Sequence, residues 1–439
     1  MLIIHNDRGR FAHVALKIEE AAGRSVRPAS AFMTDAVAKP MRQLSVLLAS
    51  IRAAVESLRT SEPPPRPQPT HFPEDKRCSS KGRHTYEVAM RTSYRCAVLL
   101  FASLFASWAC AQPTPKAALL VVCTNAQKLD IVNPNTLQVV AHIPVGNNPH
   151  EVIAATDGRT AYVSNYGFGK FHTITEVNLV TQKRVRTIDV WPLLGPHGVD
   201  FVDGKLWFTA EDSKAIASYD PTTGKVDWIM GTGQNRTHMI YVFPGAQKIV
   251  TTNVNSGTVT IYQKYAVQAG SHLPGIPAGA SLPQTGSDWL ETVVPSGIRD
   301  EGFAVSPDHT QMWTASPVDG HVTIINVNTK KVVGTIDAKA MHANRLAFTP
   351  NGKIVLISGG ADLVVIDAAT HKVIKRIPVT SGGPGLQSNG ILVEPDGRRA
   401  FVNCFTHNYI AVVDLKTLTV TGRIPVDAGP NGVAWAVRQ

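Results

Sequence analysis

Cysteine is scarce in this sequence, and the motifs that it forms in other proteins are missing. Five cysteines occur among 439 residues, and none belongs to a C-x-x-C or C-x-x-C-H arrangement. Those spacings are typical of redox dithiols, zinc sites and covalently attached haem, so the sequence supports none of the three. Cys123 and Cys404 fall in apolar strand patterns, and we expect both to be buried free thiols.

The motifs of common enzyme and nucleotide-binding classes are absent as well. The chain contains no G-x-S-x-G, no P-loop, no H-E-x-x-H and no dinucleotide-binding fingerprint. Each of these motifs supplies a nucleophile, a phosphate cradle or a metal pair at a fixed spacing. We therefore expect no nucleotide, haem or flavin cofactor.

A uniformly basic chain is also excluded, although the net charge is +10. Residues 1–111 hold 16 Lys and Arg against 9 Asp and Glu, whereas residues 112–439 hold 27 against 24. The larger part of the chain is therefore nearly neutral, and no basic face with interleaved aromatic residues stands out. We expect no nucleic-acid partner.

Residues 90–111 have the layout of a secretory signal peptide. Arg91 and Arg95 precede an apolar run from Cys96 to Trp108, and Ala109-Cys110-Ala111 offers a small-residue cleavage site. The alternatives are a membrane anchor, for which the run falls short of the roughly 20 residues needed, and a lipoprotein acylated at Cys110. We expect cleavage after Ala111, export to the periplasm or the medium, and no membrane span in the mature, monomeric protein.

The 89 residues before this signal do not belong to the predicted fold. They include the Pro-rich tract SEPPPRPQPT and one amphipathic stretch at 41–59. Residues 1–89 are interpreted as a non-native upstream extension, with Met90 as the true start. The alternative is a genuine disordered or helical extension. Residues 112–117 are then a linker, and residues 118–439 form one domain.

Internal repeats organise that domain. Tight turns recur as ATDGRT, SPDHTQ, TPNGKI and EPDGRR, and each is followed by a strand pattern of alternating apolar residues. Asp-Gly and Asn-Gly supply the positive backbone angles of short hairpins. A second pair of strands follows in every repeat, as in VIDAATHKVIKRIPV at 365–379. No comparable helical period runs through this region.

The spacing of the repeats predicts a ring of seven blades. One polar residue begins the first strand of each repeat, at spacings of 47, 41, 63, 43, 45 and 42 residues. We call these the ring positions: His150, His197, His238, Glu301, Asn344, Asn389 and Asn431. Such spacings are typical of a β-propeller, here all-β with seven four-stranded antiparallel blades. The strand after Asn431 is expected to complete the first blade and close the ring.

These motifs resemble a known repeat family. AYVSN at 161–165, the Asp-Gly turns, VVDLKT at 412–417 and the repeated IPV look like the YVTN-type β-propeller repeat, which includes YncE-like exported proteins. The likeness covers roughly residues 118–437. It implies an exported binding or interaction module. WD40, the rival repeat, is disfavoured because its Gly-His and Trp-Asp signatures are missing.

One repeat is longer than the others. Residues 264–288 insert Gly and Pro before the strand WLETVV. We expect a long loop there, between the third and fourth strands, on the face opposite the ring positions. Loops of this length are uncommon in compact domains and are often functional, although a decorative loop is equally consistent with the pattern.

The ring positions are the candidate site, because the first strands of a propeller line its central channel. His150, His197, His238 and Glu301 would meet at one channel mouth, and imidazole with carboxylate suits a divalent metal such as Zn or Cu. Further ligand-binding candidates are Asn344, Asn389, Asn431, Arg236, Arg299 and Arg345. A small-molecule or anion site without metal, and a purely structural wet ring, are the two alternatives.

Two functional classes follow from this site. The first is an exported binding protein that takes a small molecule or a protein at this face. The second is a metal-dependent hydrolase or lyase of the lactonase kind, in which Glu301 is the candidate catalytic base. No lactonase or lyase motif can be matched in the sequence.

Overall fold

The computed structural model describes residues 112–267, 286–383 and 387–439. The predicted signal peptide, the upstream segment, most of the long insertion and residues 384–386 lie outside these ranges. The described residues form seven four-stranded antiparallel sheets arranged as a ring, as the repeat spacing predicts. Among them, no helix is both long and apolar enough to cross a membrane.

Each blade is one repeat, and its first strand lies at the centre of the ring. The innermost strands of most neighbouring blades contact one another. The second blade contains β4 (Pro149–Ala154), β5 (Thr160–Asn165), β6 (Thr173–Asn178) and β7 (Lys183–Asp189); the third contains β8 (Pro196–Val202), β9 (Lys205–Ala210), β10 (Ala215–Asp220) and β11 (Lys225–Gly231); the fourth contains β12 (Thr237–Val242), β13 (Lys248–Asn253), β14 (Thr258–Val267) and β15 (Gly286–Pro295).

The remaining blades follow the same order. The fifth contains β16 (Phe303–Val305), β17 (Gln311–Ala315), β18 (His321–Asn326) and β19 (Lys331–Asp337); the sixth contains β20 (Arg345–Phe348), β21 (Ile354–Ser358), β22 (Asp362–Asp367) and β23 (Lys372–Pro378); the seventh contains β24 (Ile391–Val393), β25 (Arg399–Cys404), β26 (Tyr409–Asp414) and β27 (Thr419–Pro425). Short 3₁₀ turns cover Gly167–Gly169, Pro244–Ala246 and Phe405–His407.

The first blade is closed by the C-terminal strand, as predicted. Its sheet order is β28 (Pro430–Val437), β1 (Ala117–Cys123), β2 (Lys128–Asn133) and β3 (Gln138–Pro144). Leu119 pairs with Trp435 and Val121 with Val433 across this join. The two ends of the domain are thereby held together, and the ring has no unpaired edge at its closure.

The hairpin turns that the sequence singled out owe their shape to local chemistry. Gly158 and Gly397 have φ values of 64° and 72°, which a residue without a Cβ adopts at little cost. In each turn the preceding aspartate side chain accepts the N–H two residues further on, as Asp157 does from Arg159 at 2.8 Å.

The hydrophobic core lies between the blades. One cluster joins Leu119 and Val121 of the first blade to Phe401 and Val412 of the seventh. Cys123 and Cys404 are both buried and free, as expected for thiols in apolar strands. Burial raises the pKa of the Cys404 thiol to about 11, so it is inert at neutral pH.

The boundaries of the long insertion differ from the prediction. Residues 264–267 and 286–288 are strand rather than loop, because β14 and β15 stay paired from Lys264 opposite Trp289 to Val267 opposite Gly286. The Lys264 ammonium also lies 5.9 Å from the centre of the Trp289 ring, a contact that supports the longer ladder. The connection does join the third and fourth strands of its blade, as predicted.

Candidate functional site

The ring positions lie where neighbouring inner strands approach most closely. A glycine follows the ring residue in four of the seven repeats. A Cβ on Gly198 would lie 2.6 Å from the carbonyl oxygen of His238, and one on Gly432 would lie 2.4 Å from that of His150. Because no side chain fits in such a gap, these glycines let the ring residues of successive blades come together.

The three predicted histidines form a continuous stack across three blades. The ring centres of His150 and His197 are 4.5 Å apart, and those of His197 and His238 are 3.8 Å apart. The Tyr166 ring packs edge-on against His197 at 4.8 Å. His197 and His238 are 0 % and 1 % exposed, so their imidazoles are removed from bulk water.

Several nitrogen atoms of this stack have no protein partner. Among the described residues, three of these nitrogens make no hydrogen bond: Nδ1 and Nε2 of His197, and Nε2 of His238. A buried polar atom without a partner costs on the order of 1–3 kcal/mol, so such atoms usually mark a bound water or ion. The unpaired nitrogens of these two adjacent imidazoles are therefore candidate ligand atoms.

A carboxylate that is not one of the ring positions lies beside these histidines. Glu211, directly after β9, contacts Nδ1 of His238 through one oxygen and accepts the Tyr166 hydroxyl through the other. One ligand atom from each of His197, Glu211 and His238 lies within 4.8 Å of the other two. Two imidazoles and one carboxylate are a known zinc donor set. We call these three residues the His197–Glu211–His238 cluster.

The ionisation states in the cluster suit a cation. Burial lowers the pKa of His197 well below its ordinary value, and the neighbouring His238 and His150 rings lower it further. Burial raises the pKa of Glu211, but His238, Tyr166 and Arg236 outweigh that effect and leave it below its ordinary value. A neutral imidazole and an ionised carboxylate are the forms that bind metals.

His150 lies outside the His197–Glu211–His238 cluster. Its Nδ1 lies 2.9 Å from Nδ2 of Asn431, which also donates to the Thr124 hydroxyl at 3.1 Å. An amide N–H can only donate, so Nδ1 of His150 is the acceptor and its proton sits on Nε2. His150 therefore supports the stack from outside the cluster.

Glu301, the predicted fourth ligand and candidate catalytic base, is also outside the cluster. Its carboxylate accepts a hydrogen bond from Nδ2 of Asn344 at 2.8 Å, and it lies 3.4 Å from the Arg236 guanidinium. Arg236 in turn lies 3.5 Å from Glu211. The arginine thus bridges two carboxylates of the channel mouth, one in the cluster and one beside it.

The other predicted ligand-binding residues divide between the channel and its rim. Asn389 donates to Asn431 at 2.6 Å, and Arg345 donates to Asn344 at 3.0 Å. Arg345 also forms a buried ion pair with Glu151, which follows His150. Arg299 is exposed and joins Glu301 and Asn344 in lining a cavity of about 720 Å³.

A second cavity shares Glu211 with the cluster. It has a volume of about 370 Å³ and we call it the Arg236 pocket; its charged and aromatic walls are Tyr166, Phe168, Glu211, Asp212, Lys214 and Arg236. Glu211 and Tyr166 belong both to this pocket and to the surroundings of the histidine stack. The pocket therefore adjoins the cluster on the side of Glu211.

Comparison with known proteins supports the architecture. No family model matches the chain, and no curated protein matches it. A functionally unknown protein from Desulfotomaculum acetoxidans matches with a TM-score of 0.58 and 13% identity, over 73% of this chain and 99% of its own. Hydrazine synthase from Kuenenia stuttgartiensis matches with a TM-score of 0.52 and 15% identity, over 65% of this chain and 89% of its own.

These likenesses show the fold alone. At such low identity no activity transfers from one chain to another, because unrelated activities share this architecture. The seven-bladed propeller is supported, and membership of the YVTN-type family stays a prediction.

A sequence signal for Glu211 was present. The loop from the second to the third strand of a blade returns to the same face as the ring positions. In the third blade that loop begins AED, and it places a carboxylate immediately after an apolar strand. Glu211 follows a second strand, so it is not among the ring positions, which all lie at or just before the start of first strands.

Proposed function

We propose that this chain is an exported β-propeller binding protein that holds a divalent transition-metal ion, zinc or copper, in the His197–Glu211–His238 cluster. The observation that carries this proposal is a pair of buried histidines beside an ionised carboxylate: both ring nitrogens of His197 and Nε2 of His238 lack hydrogen-bond partners among the described residues. Imidazole nitrogens are preferred ligands of both metals, and a three-residue set leaves a coordination position open.

Export enters this proposal from the predicted signal peptide at 90–111. The two cysteines of the described part of the chain are buried thiols, so the donors offered to a metal are nitrogen and oxygen. Arg236 and Tyr166 hold Glu211 in place from the solvent side. Such outer contacts orient metal ligands and strengthen binding.

Zinc titration of the full chain with and without His197 tests the proposal. The chain is stripped with a chelator, loaded with zinc, passed through a desalting column and analysed for metal. We expect stoichiometric zinc in the original protein and its loss in His197→Ala. That substitution removes no hydrogen bond among the described residues, so folding, checked by circular dichroism, should persist.

His321→Ala is the matched control. His321 is a half-exposed histidine whose Nδ1 lies 3.4 Å from Asp319 on the surface of the fifth blade. Its removal should leave the zinc content unchanged. Equal zinc in His197→Ala and the original protein, or no retained zinc in either, would overturn the proposal.

A further inference from the structure

We infer that the metal-loaded protein binds a small organic anion, a carboxylate with an apolar body, in the Arg236 pocket. This inference rests on the metal site proposed above. Four observations carry it: the position of the pocket, its charge balance, an unpaired lysine on its wall and an exposed aromatic ring at its edge.

The pocket reaches the cluster through shared side chains. Glu211 lines the pocket and is the carboxylate of the cluster. Tyr166 lines the pocket while its ring packs against His197 and its hydroxyl donates to Glu211. A molecule in this pocket would therefore contact the carboxylate that also belongs to the proposed metal site.

The charges of the pocket balance only when no ion is bound. Its walls carry two acids, Glu211 and Asp212, and two bases, Lys214 and Arg236. The nearest charges outside also cancel, because Lys170 pairs with Asp212 at 3.3 Å and Glu301 pairs with Arg236. A divalent cation would leave the site with an excess of positive charge, and an anion would restore neutrality.

Lys214 is the cation left free to meet that anion. The Lys214 side chain is exposed, and it forms no ion pair with any described residue. Its backbone is fixed, since Lys214 N–H donates to the Glu211 backbone carbonyl at 3.2 Å and Thr232 N–H donates to the Lys214 carbonyl at 2.8 Å. The turn that carries Glu211 therefore also places a lysine on the wall of the same pocket.

The aromatic wall accounts for the apolar body of the ligand. Phe168 is 78 % exposed, and its ring centre lies 6.2 Å from that of Tyr166. An exposed aromatic ring at the edge of a polar pocket offers area for stacking or apolar contact. A volume of about 370 Å³ matches a small molecule rather than a polymer.

Isothermal titration of the full chain with benzoate tests this inference. We expect benzoate to bind the zinc-loaded protein at least about tenfold more tightly than the chelated protein, because the ion supplies the excess charge. Acetate, which lacks the apolar body, should bind more weakly than benzoate, and Phe168→Ala should remove that preference. Equal benzoate affinity with and without zinc, or no benzoate binding to protein that contains zinc, would overturn the inference.

Two lysine variants locate the anion. Lys214→Gln should weaken benzoate binding roughly fivefold, whereas Lys225→Gln, an exposed lysine at the start of β11, should leave it unchanged. Equal effects of the two substitutions would place the anion elsewhere. Zinc content measured on the same samples separates the two proposals. Absence of zinc would refute the metal site, whereas bound zinc without benzoate binding would refute only the anion site.

Discussion

Asp300 and Asp200 are two buried carboxylates in different surroundings. Burial raises the pKa of each to about 6, and neighbouring hydrogen-bond donors offset the effect in part. Asp200 accepts Val242 N–H on one oxygen and Phe201 N–H on the other, both at 2.8 Å. Neither oxygen of Asp300 meets hydrogen-bond geometry with any described residue. Asp300, which precedes the ring residue Glu301, thus carries a buried charge at neutral pH with weaker hydrogen-bond support than that of Asp200.

Asp300→Asn should stabilise the protein above pH 6. The folded pKa of Asp300 lies above its unfolded value, so ionisation costs stability as the pH rises through 6, and the neutral amide avoids that cost. We expect the free energy of unfolding at pH 8 to rise by about 1–3 kcal/mol, with the gain fading towards pH 4. Chemical denaturation at both pH values measures it, and a pH-independent difference would contradict the account.

Asp200→Asn is the matched comparison. An amide would direct one of its own N–H groups at a backbone N–H that the carboxylate now accepts, so this variant should lose about 1–3 kcal/mol at pH 8. Opposite signs for the two substitutions would show that hydrogen bonding, rather than burial alone, separates these sites. The same sign for both would argue against it.

At the scale of strands and turns, the sequence predicted most of the fold. The period-2 patterns, the Asp-Gly turns and the regular spacing depend on local chemistry that each repeat carries by itself. The closure of the first blade by β28 was predictable because one repeat lacked a strand and another had one left over. The ends of β14 and β15 were not predictable, since Gly and Pro further along the insertion outweighed the short apolar stretch YAV at 265–267.

The candidate site was less predictable than the strands. The sequence placed His197 and His238 at one channel mouth, and the structure stacks their rings. It predicted Glu301 and did not include Glu211, because the reach of a loop carboxylate across to the next blade is not visible in the first strands. The Glu301 carboxylate contacts Asn344 and Arg236, whereas the Glu211 carboxylate contacts His238.

At the scale of the whole molecule, one ion pair spans the channel. Glu151 lies in the second blade and Arg345 in the sixth, nearly opposite in a ring of seven. Both residues follow a ring position, where four other repeats have glycine. The pair joins the innermost strands β4 and β20, and it ties blades that are not neighbours.

A double-mutant cycle on this pair should show strong coupling. Arg345→Met leaves Glu151 as a buried charge without its partner, and we expect a loss of about 3–5 kcal/mol in the free energy of unfolding. Glu151→Leu combined with Arg345→Met should cost less than the sum of the single substitutions, because no unpaired charge remains. Urea denaturation of the four proteins measures the coupling, and additive losses would contradict a direct cross-channel pair.

The central claim is that a metal ion sits between His197, His238 and Glu211, and X-ray absorption of the zinc-loaded full chain tests it most directly. The account predicts a first shell of nitrogen and oxygen at about 2.0–2.2 Å with the multiple scattering of two imidazoles, and no sulfur at about 2.3 Å. His197→Ala should remove one imidazole from that shell. A shell without imidazole, or one unchanged by His197→Ala, would contradict the account.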